Sequence, residues 1–182
     1  MLSNKPFALM AAALAIVAVP ASAKNPMVGG AAMYSTKNIV QNAVNSRDHT
    51  TLVAAVEAAG LVETLSSKGP FTVFAPTNRA FAKLPAGTVE TLVKPENKGT
   101  LTTILTYHVV PGRITAGQIQ GLAARNRGTA TLKTVQGERL KFMKHGKGWM
   151  ITDAKGGTAM ITIANVMQSN GVIHVIDTVL MP

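Results

Sequence analysis

The chain has no cysteine, few acidic residues and few aromatics, and each shortage closes off a class of protein. Without cysteine there is no disulfide framework and no lipid-modified N-terminal cysteine, so stability rests on packing alone. The 8 acidic residues show no arrangement that would set up a paired-carboxylate site. Neither a G-x-S-x-G elbow nor a phosphate-cradling glycine loop is present. These absences predict a protein that is not an enzyme and needs no cofactor. A single tryptophan, with no aromatics interleaved among the basic residues, offers no platform for base stacking. Nucleic acid is therefore not an expected partner. The long apolar run at residues 7–19 is too short for a stop-transfer helix, and no second hydrophobic span follows it.

That run lies after Lys5 and before Ala21-Ser22-Ala23, which has the small-x-small form of a cleavage site. Together they predict a cleaved secretory signal peptide over residues 1–23 and export across the inner membrane, to the periplasm or the cell exterior. Residues 24–34 are small, glycine-containing and without periodicity, and read as a flexible leader. Residues 35–182 have the size of one domain with a proper core, expected to be monomeric.

What the sequence does hold is positive charge, a formal +10, unevenly spread. Between residues 111 and 157 stand nine basic residues and only two acids. Arg125, Arg127, Lys133, Arg139, Lys141, Lys144 and Lys147 form a candidate anion-binding set. Outside the cytoplasm such a field favours acidic polysaccharide, lipopolysaccharide phosphates or an acidic surface protein, with membrane contact peripheral at most. The plainer reading of the same residues is a solvated face that keeps a small domain soluble.

Periodicity divides the chain in two. Ile39, Val40, Ala43 and Val44 recur at helical spacing, then Leu52, Val53, Val56 and Ala59, with Asp48 as the expected N-cap and Gly60 as the stop. Gly69-Pro70 ends a helical turn, Pro76 ends the run of β-formers at 71–74, and the Thr77 hydroxyl can cap the next helix. Leu101, Ile104, Leu105, His108 and Val109 line one face of a stronger helix, closed by Pro111-Gly112. From Thr129 the period becomes two. Strands at 131–135 and 139–143 flank a Gln136-Gly137-Glu138 loop, which sets Leu132 opposite Phe142 and Lys133 opposite Lys141. Strands at 149–153, 160–166 and 172–177 continue the sheet, with Asn170-Gly171 as a hairpin turn. Helices first and strands later give an α+β class.

Two stretches and a dipeptide say more. Phe71, Thr72, Val73, Phe74, Ala75, Pro76, Thr77 and Phe81 form one, and Asn170, Gly171, Val172, Ile173, His174, Val175, Ile176 and Asp177 the other, with Tyr107-His108 between them. In this order they resemble the two signatures and the Tyr-His pair of the fasciclin (FAS1) domain, over roughly residues 35–182. The resemblance implies the FAS1 fold, a wedge of two small β-sheets packed at an angle with the early helices on one side. It also implies that strand 71–74 pairs with strand 172–176. For function it implies a secreted cell-adhesion module that engages extracellular matrix or surface polysaccharide.

Animal members bind integrins partly through the region of the Tyr-His pair. In this chain His108 falls on the apolar face of its own helix, where a neutral imidazole bonded to backbone is the ordinary outcome. Animal adhesive members also carry an Asp-Ile pair before the last turn. Here that position reads Asn165-Val166-Met167, without the carboxylate that integrins engage through a metal ion. His49, His145 and His174 lie far apart and match no metal-binding spacing. On a strand His174 and Asp177 point to opposite faces, so they form no dyad. The alternative function is a periplasmic carrier of a lipid or other apolar molecule. It needs a cavity of roughly 300 Å³ between sheets and helices, which Met143, Met150, Met160 and Met167 could line.

Overall fold

A computed structural model describes residues 25–182, so the expected signal peptide lies outside the described residues. The stretch expected to be a flexible leader is instead tied down. Strands β1 (Met27–Val28) and β2 (Ala31–Ala32) form a small hairpin, and Val28 and Met33 are buried in the core. Gly29 turns at φ +57°, and its carbonyl accepts the Arg47 N–H at 3.1 Å. A side chain there would collide with Ser46 and Asp48. Two-residue strands are too short to display a period, which is why the pattern looked unstructured.

The helical half follows the apolar spacing. Helix α1 (Ile39–Ala43) starts with a capping box between Asn38 and Gln41. Helix α2 (Thr50–Ala59) ends at Gly60 in the left-handed conformation, as expected, but Asp48 is not its cap. The Asn78 side chain accepts the Thr51 N–H at 3.0 Å instead, so the helix start is satisfied from 27 residues away. After α3 (Val62–Ser66) come β3 (Phe71–Pro76) and α4 (Asn78–Ala82), whose start is capped by the Thr77 hydroxyl. Helices α5 (Thr88–Leu92) and α6 (Lys98–Tyr107) follow. Helix α6 stops two residues short of the sequence pattern. His108 is its C-cap, and Val109 opens β4 (Val109–Pro111), a strand the apolar spacing had merged into the helix. Helix α7 (Ala116–Arg125) had no expected counterpart, because glycine and glutamine dilute its apolar stripe down to buried Ile119 and Ala123.

Strands β5 (Thr129–Lys133), β6 (Arg139–His145), β7 (Gly148–Thr152), β8 (Thr158–Gln168) and β9 (Gly171–Ile176) complete the chain. The spatial order is β4-β3-β9-β8-β7-β6-β5, antiparallel throughout except for the parallel pair β3 and β9. The eleven-residue β8 joins the two halves of the wedge. Its first residues pair with β7 and its remainder with β9, across register shifts between Ile161 and Val166 that bend the strand. The Val135 N–H donates to the Val109 carbonyl at 2.7 Å, bringing the two far edges of the sheet together.

The β5–β6 register differs from the sequence expectation by two residues. Leu132 faces Leu140, Lys133 faces Arg139, and Lys141 faces Thr131 rather than Lys133. The loop is Val135-Gln136-Gly137, closed by the Thr134 N–H on the Glu138 carbonyl at 2.8 Å. A three-residue hairpin loop needs positive φ at its last position, and Gly137 supplies it at φ +116°. The glycine therefore ends the loop instead of occupying its middle.

Residues alternate along β3 and β9 between two cores. Val73, Ala75, Ile173 and Val175 pack with Leu52, Val56, Leu65, Phe81 and Leu101 of the helices. Phe74 and Ile176 face the other way, into the wedge, with Tyr107, Ile119, Leu140, Phe142, Ile151 and Leu180. Strand β9 is buried over its whole length, as a strand covered on both faces must be.

Candidate functional site

The two signature stretches meet in space. Phe71 to Pro76 run parallel to Gly171 to Ile176 in continuous register. At the start of this pair a Cβ on Gly171 would overlap the Phe71 carbonyl, so the glycine serves close approach of two backbones. It is not a turn residue. The β8–β9 hairpin turns on Ser169-Asn170, between Gln168 and Gly171, rather than on Asn170-Gly171.

Asn170 is buried and uses its whole amide. Its Oδ1 accepts the Ile39 N–H at 3.0 Å, and its Nδ2 donates to the carbonyls of Leu65 at 2.7 Å and Ser67 at 2.8 Å. It thereby fastens α1 and α3 to the sheet. Thr72 plays a similar part, donating from Oγ1 to the Gly112 carbonyl at 2.7 Å and accepting the Ile114 N–H at 2.8 Å. Asp177 accepts the Met160 N–H at 2.8 Å and the Thr178 hydroxyl at 3.0 Å, with Lys83 Nζ 3.5 Å away. Burial works to raise its pKa but is outweighed by these partners, so the carboxyl titrates below its usual range.

The Tyr-His pair joins the same frame. The Tyr107 hydroxyl accepts the Ala154 N–H at 2.8 Å, and burial pushes the phenol pKa up. Next to it, His108 Nε2 accepts the Leu180 N–H at 3.0 Å, which fixes Nδ1 as the donor to the Ile104 carbonyl at 2.8 Å. The ring is neutral, and burial takes its pKa down to about 4, against the Ile104 carbonyl and the charge of Asp153. His174 repeats the arrangement. Its Nδ1 accepts the Asn165 N–H at 3.3 Å, Nε2 donates to the Ile114 carbonyl at 2.8 Å, and burial lowers its pKa. The ring also stacks on Phe74, with centroids 5.4 Å apart. Every polar atom of these three side chains points inward. They can hold strands in register but offer nothing to a partner.

His49 is buried as well, paired with Ser46 at 2.8 Å, while His145 is exposed on β6. The histidines are thus spread over separate parts of the fold. Asn165, at the position where animal relatives carry an acid, has φ +59° and accepts the Ala116 N–H at 2.8 Å, a bond to the first N–H of α7 beside the capping box of Thr115 and Gln118.

The basic set lies outside. All seven of its residues are exposed. Lys133, Arg139 and Lys141 stand on the outer face of β5 and β6. By the register, Arg125, Arg127, Lys144 and Lys147 gather at the opposite end of these strands from Lys133 and Arg139. Lys144 also sits over the Trp149 ring, 5.1 Å from its centroid. Among the described residues the one ion pair is Lys83–Asp177, so none of the seven is paired. The nearby Asp153 is taken up internally, accepting N–H groups from Lys155, Gly157 and Met181. The turn composition of Asp153-Ala154-Lys155-Gly156-Gly157 was the available signal for that role.

The methionines do not line a cleft. Met143, Met150 and Met160 project from the outer face of the sheet, Met143 being 44% exposed, and Met167 is half-buried. The apolar crevices between helices and sheet are small, about 40 Å³ beside Leu52, Val56 and Leu105 and about 30 Å³ beside Met33 and Val166.

The Fasciclin domain profile matches residues 47–182. Over 177 residues the chain is 49% identical to Protein sll1483 of Synechocystis sp., covering 97% of this chain and 91% of that one. It is 36% identical over 191 residues to Immunogenic protein MPB70 of Mycobacterium bovis, covering 94% and 90%. Among solved structures, a FAS1 domain pair from the insect cell adhesion molecule Fasciclin I superposes with a TM-score of 0.71 at 16% identity. That match covers 80% of this chain and 51% of the insect one, and shows a shared fold.

Proposed function

The chain belongs to the fasciclin domain family, and on that premise we propose that it is a non-enzymatic adhesion module, exported from the cell, that docks electrostatically onto acidic surface polysaccharide. The observation that carries the reading is the outer face of β5 and β6. Three cations stand there and four more at one end, all exposed and none of them in an ion pair among the described residues. Structural cations are normally paired or spread among acids. These concentrate field instead, and a polyanion that bridges several of them gains from each without the protein having to rearrange.

The family's signature residues supply the rigid frame behind this face. Thr72 to Pro76 and Asn170 to Ile176 are buried, so adhesion through them would require unfolding the sheet. A lipid carrier would need roughly 300 Å³ of enclosed apolar room. The apolar crevices between helices and sheet, at about 40 and 30 Å³, fall short by an order of magnitude, and the clefts of about 300–410 Å³ elsewhere on the described residues are open and partly polar rather than enclosed.

The test is a column of immobilised polygalacturonate, with neutral dextran as control. The protein is expected to be retained on the acidic matrix alone and to elute as NaCl rises. Lys133→Glu with Lys141→Glu should elute at clearly lower salt with an unchanged melting temperature. Passage straight through the column, or retention indifferent to both salt and the double substitution, would refute the reading.

A further inference from the structure

The same sheet face carries a second set of side chains that anion binding does not use. Met143 of β6 faces Met150 of β7, and Met150 faces Met160 of β8, so three thioethers form one row across three adjacent strands. Inward-facing Phe142, Ile151 and Ala159 are buried, which places the row on the outside. Directly opposed residues hold their Cβ atoms about 5 Å apart. One flexible methionine can therefore reach the next with its sulfur.

The row is completed at one corner by His145, which shares the outer face of β6 with Met143 and lies opposite Gly148. Gly148 has no side chain, and Met160 uses the space. Its terminal methyl lies 3.6 Å from where a Cβ on Gly148 would stand, so Met160 leans across β7 toward His145. Four side chains, Met143, His145, Met150 and Met160, thus stand together on the outer face of three adjacent strands.

We propose that this cluster is a binding site for a soft monovalent cation, Cu(I) or its analogue Ag(I), held by three thioethers and one imidazole. Thioether sulfur is a poor ligand for hard ions and selects copper(I) among biological metals. The chain has no cysteine, so methionine is its one source of soft sulfur. The surroundings sharpen the selectivity. All four ligands are uncharged when the imidazole is neutral, and Lys141, Lys144 and Lys147 stand close by. Their repulsion doubles for a divalent ion, which also lacks the carboxylates it prefers, so Zn(II) and Ca(II) are excluded on two counts.

Protein purified from its own host, carrying ¹³C in its methionine methyls, is titrated with Ag(I) and followed by NMR. The methyl signals of Met143, Met150 and Met160 are expected to move together and to saturate at one equivalent. Those of buried Met33 and of Met27, which is exposed but alone, should stay put. Met143→Leu with Met150→Leu and Met160→Leu conserves volume on an outward face, so that variant should melt as the parent does and lose the uptake. His145→Asn should weaken it by tenfold or more. Three outcomes overturn the proposal: row methyls that do not respond to Ag(I), uptake undiminished in the triple leucine variant, or Zn(II) that moves the same methyls as strongly. The parent spectrum decides the matter even if a variant fails to fold.

Discussion

Acid should unfold this protein through His108, and the size of the effect follows from its surroundings. The ring sits between the Ile104 carbonyl and the Leu180 N–H, with both nitrogens in use. A proton added at Nε2 would displace the Leu180 bond and put a buried charge against an N–H dipole, which is why burial takes the pKa from 6.5 to about 4. In the unfolded chain the same ring titrates near its ordinary value. Below pH 6.5 the unfolded state therefore binds a proton that the native state refuses, and stability is lost as pH falls from 6.5 toward 4. It is fully present above 6.5. Linkage over that interval gives a loss of about 2.5 kcal/mol by pH 4.5 from this ring alone. His174 and His49, both lowered by burial, act in the same direction.

Urea unfolding at pH 7.5 and pH 4.5, for the parent and His108→Asn, isolates the one ring. Asparagine can still donate to the Ile104 carbonyl but cannot take up a proton. The variant should be less stable at pH 7.5, yet lose about 2.5 kcal/mol less than the parent on going to pH 4.5. With an m-value of about 2 kcal/mol/M, that is a difference of roughly 1 M in midpoint shift. Equal midpoint shifts in the two proteins would refute the reasoning, since carboxylates such as Asp177 acidify alike in both.

Substitutions at two further positions test the frame. Asn170→Ala removes three hydrogen bonds from buried partners and should cost about 3 kcal/mol in a urea titration, while Asn170→Asp, which turns an oxygen toward the Leu65 and Ser67 carbonyls, should cost more. An aspartate variant as stable as the alanine one would show that the amide donors matter little. Asn165→Ala loses the bond to the first N–H of α7 and a side chain suited to φ +59°, a cost of about 1–2 kcal/mol, whereas Asn165→Asp keeps the acceptor beside a helix start and should stay within about 0.5 kcal/mol of the parent. Indistinguishable midpoints for the two would show that the bond from Ala116 contributes nothing.

Local signals in the sequence are legible wherever a residue acts on its neighbours. Thr77 caps the helix it precedes, Gly60 stops α2, and the spacing of Leu101, Ile104 and Leu105 describes the buried face of α6. Partners distant along the chain were not legible. The start of α2 depends on Asn78, and Asn170 looks like a turn residue until Ile39, Leu65 and Ser67 are seen around it. Nor could period-two patterning tell whether Gly137 stands second or third in its loop, because both registers keep the same residues inside. For the basic set, alternation put Lys133, Arg139 and Lys141 on the open side, where they are found. The same alternation puts Met143 beside them, but hydrophobicity argued for an interior and hid the methionine row. The signatures themselves were plain in sequence, and what they do was not, since their bonds run to main-chain atoms that any residue could supply.

The parallel pairing of β3 with β9 sets the order in which the molecule can come into being. Residues 71–76 find their partner only at 171–176, so a ribosome must make everything between them before the central pair can close. Both cores draw on these two strands, and a nascent chain without β9 can complete neither. Closing a loop of this length is slow beside the local helix formation that precedes it. The growing chain therefore stays open until its last strand is made, and a chain still open is one that can be threaded through a narrow pore.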